Sequence, residues 1–452
     1  MALGREHGSE GPAPASAAQV WRRTIILLLA MAILGMPAGV LRALCVGRSC
    51  DTSAEASASP PFCSLHPDVR NRIANGFRDG RSPELLGVTG SVPVRAGGGP
   101  FAPLWPAEDN GAAAAAIAFW GTGVEHGTKV PAGITFDAIA PMLAEIVALE
   151  RSYLEVRSGA PIPGVSSGEG APRLVLLAVV ETPPGAEMAG PWLERVLSEG
   201  AATREAEPGS LPLDPAATLT TIGTGGLPRQ HGITGARIRN DDGDLVRAWA
   251  SGAPPSVISS LADDLDNELG GAPRVGMVAT DTTERGLVGG GWYVDADEDD
   301  LVTARTPRRA ARAAIEMVRS GYGSDDVVVI LGVVMRGNPT EIDAPLAEVH
   351  AAASSAANDS VTVALVAIER GSPRTGSPLS WRRVASSVDE SVGAQVVEGA
   401  AAGGFFTDQA ALAQEEIPEE EIVNAMKSLT IDGRTIFADV FPAISVSFER
   451  YC

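Results

Sequence analysis

Four apolar runs stand out along the chain: Arg173–Val180 (RLVLLAVV), Val275–Ala279, Val327–Val334 (VVVILGVV) and Val361–Ile368 (VTVALVAI). Nearly every position in them is aliphatic, and no polar face alternates with an apolar one. Such runs suit strands buried on both faces, as in a parallel sheet covered by helices. The segments between them follow a helical period instead. Val257, Leu261, Leu265 and Leu269 fall four apart on one face. Pro307 is suited to opening another helix, with Ile315 and Val318 on its apolar stripe. Strands alternating with helices predict an α/β fold, a three-layer sandwich with a mostly parallel central sheet. Asp242-Gly243, between Arg237-Ile238-Arg239 and Leu245-Val246-Arg247, predicts a hairpin added to that sheet. The stretch from Asp68 to Pro106 is rich in glycine and proline with weak periodicity, and predicts irregular structure lying over the domain.

The pattern changes character near the start. Thr24–Leu41 is eighteen residues without a charge, long enough to span a bilayer, and Arg22 and Arg23 precede it. This predicts a cytoplasmic tail (1–23), a transmembrane signal anchor (24–41), a juxtamembrane linker and irregular segment (42–105), and one folded domain (106–452) outside the cytoplasm. A cleaved signal peptide is the alternative reading of the same run, although no small-x-small site is well placed. Composition narrows the partners. With 56 acidic and 35 basic residues the net charge is -21, which argues against sequence-independent nucleic-acid binding. The expected partners are the membrane, through one helix, and an envelope ligand or protein whose identity the sequence does not give.

The four cysteines, Cys45, Cys50, Cys63 and Cys452, suit an oxidising compartment and allow three pairings. Phe441 to Phe448 alternates in a strand-like way, which predicts that the C-terminus enters the fold and that Cys63 pairs with Cys452. A Cys50–Cys63 bond is the competing pairing.

The run Thr218-Leu219-Thr220-Thr221-Ile222-Gly223-Thr224-Gly225-Gly226-Leu227-Pro228-Arg229-Gln230-His231-Gly232-Ile233 resembles the segment that follows the nucleophile in the alkaline phosphatase superfamily, especially its type I phosphodiesterase/nucleotide pyrophosphatase branch. Other parts can be followed in the same way. The strand LVLLAVV runs into Glu181, then a helix from Pro191, Glu199-Gly200-Ala201, and the turn near Ser210. Ile117–Val124 and Asp137-Ala138-Ile139-Ala140-Pro141-Met142-Leu143 resemble a part that normally follows the catalytic strands, so the resemblance implies a circular permutation. The fold implied is alkaline phosphatase-like.

The metal ligands and nucleophile that the resemblance would supply are largely replaced. Glu181 stands where aspartate is expected, Met335-Arg336-Gly337-Asn338 where an aspartate and Gly-His belong, and Glu369-Arg370-Gly371 where Asp-His-Gly belongs. The nucleophile position falls at or beside Pro215, with Asp214-Pro215 reading as a helix N-cap and first turn. A two-metal hydrolase needs about six carboxylate and imidazole ligands held together. The chain has five histidines, and His231 belongs to the turn. Neither catalytic residues, metal ligands nor cofactors are therefore expected. If a hydrolase of phosphate or sulfate esters has been rebuilt here, its candidates are Asp214 and Thr218 for chemistry and Glu181 and Glu369 for a divalent metal. The acidic run Asp295–Asp300 starts like a calcium loop, but Asp300 and Thr306 replace the glycine and glutamate such a loop needs.

Overall fold

The computed structural model describes residues 61–108, 115–152, 154–186, 188–270, 274–289, 292–293, 300–323, 328–370, 377–447 and 452. The predicted tail and anchor, Cys45, Cys50 and the whole acidic run before Asp300 lie outside the described residues. The chain divides into two compact units, Met1–Ala58 and Ser59–Cys452, and all the described residues belong to the second. Among the described residues no helix is long and apolar enough to cross a membrane.

The central sheet has seven strands: β1 (Ala115–Gly121), β2 (Leu174–Thr182), β3 (Ala201–Ala206), β4 (Val275–Ala279), β5 (Asp300–Thr303), β6 (Val329–Arg336) and β7 (Val361–Glu369). Their spatial order is β3-β1-β7-β2-β6-β4-β5. From β7 to β5 all neighbours are parallel, while β1 runs antiparallel to both of its neighbours. All nine residues of β2 are buried, and burying each valine or leucine side chain contributes about 1.5–3 kcal/mol. The aliphatic runs are thus the centre of the fold.

Helices cover both faces: α1 (Pro191–Glu199), α2 (Pro215–Thr224), α3 (Leu261–Glu268), α4 (Pro307–Arg319) and α5 (Pro339–Ala356). Val175, Leu177 and Val179 pack with Leu219 and Ile222 of α2 and Leu261 and Leu265 of α3. The alternate residues Leu174, Leu176 and Val180 pack with α1, α4 and α5 through Leu193, Ala314 and Leu346. Period-two alternation therefore assigns every strand side chain to one helical layer or the other. Helix α3 begins later than the apolar spacing predicts. Ser260 and Asp263 form a reciprocal capping box there, which leaves Val257 outside the helix and exposed.

Three other expectations are corrected. The segment from Asp68 to Pro106 is not irregular throughout: Pro67–Gly76 is a helix, and Leu85–Thr89 is an inner strand of a second sheet, between Gly404–Thr407 and Phe437–Pro442. Gly87 belongs there because a Cβ would meet the Phe437 ring at 2.8 Å. The hairpin Arg237–Arg239/Leu245–Arg247 forms a separate two-stranded ribbon rather than joining the central sheet. Arg239 ties that ribbon to Glu84 at 2.8 Å and Glu398 at 2.6 Å. The C-terminal strand stops at Pro442 and a short helix, Ile444–Ser447, follows. Cys63 is bonded to Cys452, with their Cα atoms 5.2 Å apart.

Candidate functional site

Parallel strands present their carboxyl ends to one edge of the sheet, the usual place for a ligand crevice in open α/β folds. Here the edge is filled by four charged side chains. Alternation explains how they meet. Glu181 continues the row Val175, Leu177, Val179; Arg336 continues Ile330 and Val334; and Arg370 follows Ala364, Val366 and Ile368, all on the α2 side. Glu181 is completely buried. Its Oε1 accepts from Arg370 Nη2 at 2.6 Å, and its Oε2 accepts from Arg336 Nε. Arg336 Nη2 donates to Glu284 Oε1 at 2.6 Å. Glu284 also accepts from the Thr280 amide at 2.7 Å and hydroxyl at 2.6 Å. Arg370 Nη1 reaches the Leu213 carbonyl, and the Arg370 amide donates to Thr182 O at 2.8 Å.

The electrostatics follow from this chain of opposite charges. Burial works to raise the Glu181 pKa, but the guanidinium groups of Arg370 and Arg336 outweigh it, and the carboxyl lies below its ordinary value. Glu284 shifts the other way. Burial lifts it, Arg336 opposes, and the negative Glu181 adds to the rise. Arg336 is pushed up: burial alone would lower it, and Glu181 and Glu284 more than compensate.

Asp214 and Thr218 belong to the helix beside this cluster. Asp214 caps α2, its Oδ1 accepting from the Ala216 amide at 3.0 Å, and Pro215 takes the first helical position. Burial raises its pKa against the opposing backbone donors of Ala236 and Ala216 and the charge of Arg370. Thr218 is buried one turn further on, its amide donating to Asp214 O at 2.8 Å. Neighbouring threonines bond back within the helix, Thr220 to Ala216 O at 2.7 Å and Thr224 to Thr220 O at 2.6 Å. Gly225, at φ 78°, ends α2 in the left-handed conformation.

His231 lies in the short helix Pro228–His231 that follows. Its Nδ1 accepts from the Ile233 amide at 3.1 Å, so Nε2 carries the proton toward Thr221 Oγ1, also 3.1 Å away. Burial above all, then the charge of Arg78, lowers this imidazole to about 3. It is neutral and serves as a brace.

The other end of α2 carries a second buried cluster. Arg157 Nε donates to Thr224 O at 3.2 Å and its Nη2 to Ser259 Oγ at 2.9 Å. Asp264 receives Arg151 Nε at 2.6 Å, Ser259 Oγ at 2.5 Å and the Tyr293 hydroxyl at 3.0 Å. Arg157 Nη2 lies 3.4 Å from the same carboxylate.

Of the candidates read from sequence, Glu181 and Asp214 both lie beside Arg370, and Thr218 follows one turn into the helix. Glu369 is separated from them. It falls on the opposite face of the sheet, where its Oε1 accepts from the Gly185 amide at 2.7 Å, so it cannot share a ligand with Glu181. Met335 likewise points into the far layer and brings no sulfur to the site. Glu284 was missed. Its signal was available, since it stands five residues past the end of β4, behind the turn cap Asp281.

Fold and site together define a mixed α/β protein with a mostly parallel central sheet whose strand-end centre is occupied by its own ion pairs. Among the described residues no group of three or more His, Cys, Asp or Glu is placed to hold a metal ion. Comparison with family models, with curated proteins and with solved structures yields no match to this chain.

Proposed function

We propose that this is a membrane-anchored, extracytoplasmic protein of alkaline phosphatase-like fold, circularly permuted, that acts as a binding or structural module of the cell envelope rather than as a metal-dependent hydrolase. The observation that carries the proposal is the double engagement of Glu181 by Arg370 and Arg336. Both carboxylate oxygens are taken by guanidinium groups. A divalent cation about 4 Å from either guanidinium would meet a repulsion of about 8 kcal/mol at an effective dielectric of about 20. Asp214 adds a second obstacle, because it already fills the N-terminus of α2, where a phosphate would otherwise find free backbone donors. The anchor reading is supported by the uncharged run Thr24–Leu41 behind Arg22 and Arg23.

The purified domain is expected to carry no stoichiometric zinc and to leave aryl phosphates, phosphodiesters and aryl sulfates intact, as measured by elemental analysis and chromogenic release. Ester hydrolysis lost on Glu181→Ala or Thr218→Ala would establish the rival reading, a hydrolase with a rebuilt site.

A further inference from the structure

In a chain of net charge -21 a surface arginine ordinarily finds acid beside it. Arg195 pairs with Glu199 at 3.0 Å, Arg204 with Glu194 at 2.8 Å and Arg247 with Asp281 at 2.7 Å. Helix α4 departs from this. Arg308, Arg309 and Arg312 lie in its first two turns, Arg305 stands just before it, and all four are exposed. Arg308 and Arg312, four apart, share one outward face, while Ala310, Ala311 and Ala314 turn inward. The first turn holds no acidic residue, and none of the four guanidinium groups has an ion-pair partner among the described residues.

The complement stands elsewhere on the same molecule. Glu415, Glu416, Glu419, Glu420 and Glu421 are exposed where the helix Glu419–Ser428 begins, and none has an ion-pair partner among the described residues. Burial and then the negative Glu84 raise the Glu419 pKa, a sign that negative charge accumulates there. Ile422 and Met426 seat this helix on the second sheet, in one cluster with Leu85 and Phe405. The two patches belong to opposite sides of the body. Helix α4 lies in the layer of α1 and α5. The second sheet instead lies against the segment that follows α2, where a Cβ at Gly235 would come 3.6 Å from that of Ala401. The arginines of one molecule are therefore turned away from its own glutamates and are free to meet those of another.

We propose that the arginine face of α4 docks on the glutamates at the start of the helix Glu419–Ser428 in a second copy of this chain. Each molecule carries one half of the contact on either side, so the contact is heterologous. Its repetition gives a head-to-tail row or a closed ring rather than a two-fold dimer. Arginine suits the role, because its planar fork takes a carboxylate through two parallel hydrogen bonds. Held by exposed charges, the contact is reversible and screened: such attraction reaches about 10 Å at 0.1 M salt and about 3 Å at 1 M. This adds self-assembly to the structural reading above and, using residues of the folded body alone, is independent of the anchor.

Sedimentation velocity of the full chain in detergent, over a concentration series at low salt, is expected to show species larger than a dimer that revert to the monomer at about 1 M salt. Two triple variants, each keeping good helix formers, remove one half of the contact apiece. One is Arg308→Gln, Arg309→Gln and Arg312→Gln; the other is Glu416→Gln, Glu420→Gln and Glu421→Gln. Each alone is expected to sediment as a monomer of unchanged circular dichroism. Their equimolar mixture is expected to form a one-to-one complex and nothing larger, because each partner keeps a single usable face. A wild-type chain that stays monomeric throughout the series overturns the proposal, as does association that stops at a dimer. Association that survives either variant, or a mixture that stays monomeric, overturns it as well. So does a monomer whose Arg308, Arg309 and Arg312 resist phenylglyoxal until salt is added, which assigns the arginine face to an acidic segment of the same chain.

Discussion

The two ends of α2 each meet a guanidinium, and the two meetings are physically unlike. At the C-terminal end Arg157 donates to Thr224 O, where the helix dipole already favours a cation. At the N-terminal end Arg370 reaches Leu213 O, against the dipole, and is sustained by the buried carboxylate of Glu181. Arg157 works with the polarity of its helix end, beside an Asp264 it shares with Arg151; Arg370 works against that polarity and is held there by a charge carried on the sheet. A cation at a helix terminus is therefore not one kind of interaction, and the strand-end centre is the more fragile of the two.

The largest test of that contrast is Arg370→Met. Removing one partner of a buried ion pair costs about 3–5 kcal/mol; Glu181 keeps Arg336 on its Oε2, but its Oε1 and the Leu213 carbonyl both lose their donor, which places the loss toward the lower end of that range. Urea denaturation of the domain is expected to show a loss of that size, and Glu181→Gln added to Arg370→Met to recover part of it. A loss under about 1 kcal/mol would erase the distinction between the two ends.

Arg157→Met at the opposite end is expected to cost less, about 1.5–3 kcal/mol, the range for hydrogen bonds to a charged group. Asp264 keeps Arg151 at 2.6 Å, so no carboxylate is stranded. If the Arg157 variant proves the less stable of the two, the comparison is reversed.

Acid sharpens the picture through His231, whose ring braces α2 at Thr221. The folded His231 imidazole titrates near 3 rather than at its ordinary 6.5, so below pH 6.5 the unfolded chain binds the proton and the folded one does not. Stability is fully present above pH 6.5 and is expected to fall by about 1 kcal/mol on going to pH 5.5, read as a shift in urea midpoint. His231→Gln should flatten this slope. Glu181, held below the usual carboxylate range, loses its contribution only at lower pH, as it is protonated.

Asp214→Asn is the smallest expected effect, within about 0.5 kcal/mol, because asparagine caps a helix as well as aspartate does. Asp214→Ala is expected to cost about 1–2 kcal/mol by the same measure. A large loss in the asparagine variant would mean that the charge of Asp214, and not its cap, balances Arg370.

What the sequence made legible was governed by how local the signal is. The strands β2, β4, β6 and β7 announce themselves because a segment buried on both faces must be apolar throughout. Pro191, Asp214-Pro215 and Pro307 mark helix starts through backbone chemistry that needs no tertiary contact. Leu85–Thr89 was hidden because five residues among glycines and prolines carry too little periodicity, and Gly87 reads as a breaker although it makes room for the Phe437 ring. At the site, Glu181 could be placed by its position at a strand end. The company it keeps could not. Whether residue 369 or 370 faces Glu181 depends on strand register, which reverses the exposure of every side chain with a shift of one residue. Glu284 and Arg336 are 52 positions apart and meet only through the sheet.

The bond between Cys63 and Cys452 has a consequence for how the chain could be cut and reordered. From residue 63 onward the polypeptide is covalently a ring, so a single protease nick anywhere in the body opens the ring without shedding a fragment. Both sides of the cut remain tethered to the same N-terminal stretch. Because the two ends of the folded body meet with Cα atoms 5.2 Å apart, the ring has no privileged starting point. A short peptide across that gap could replace the sulfur bridge, and the sequence could then begin at another surface loop with each strand keeping its neighbours.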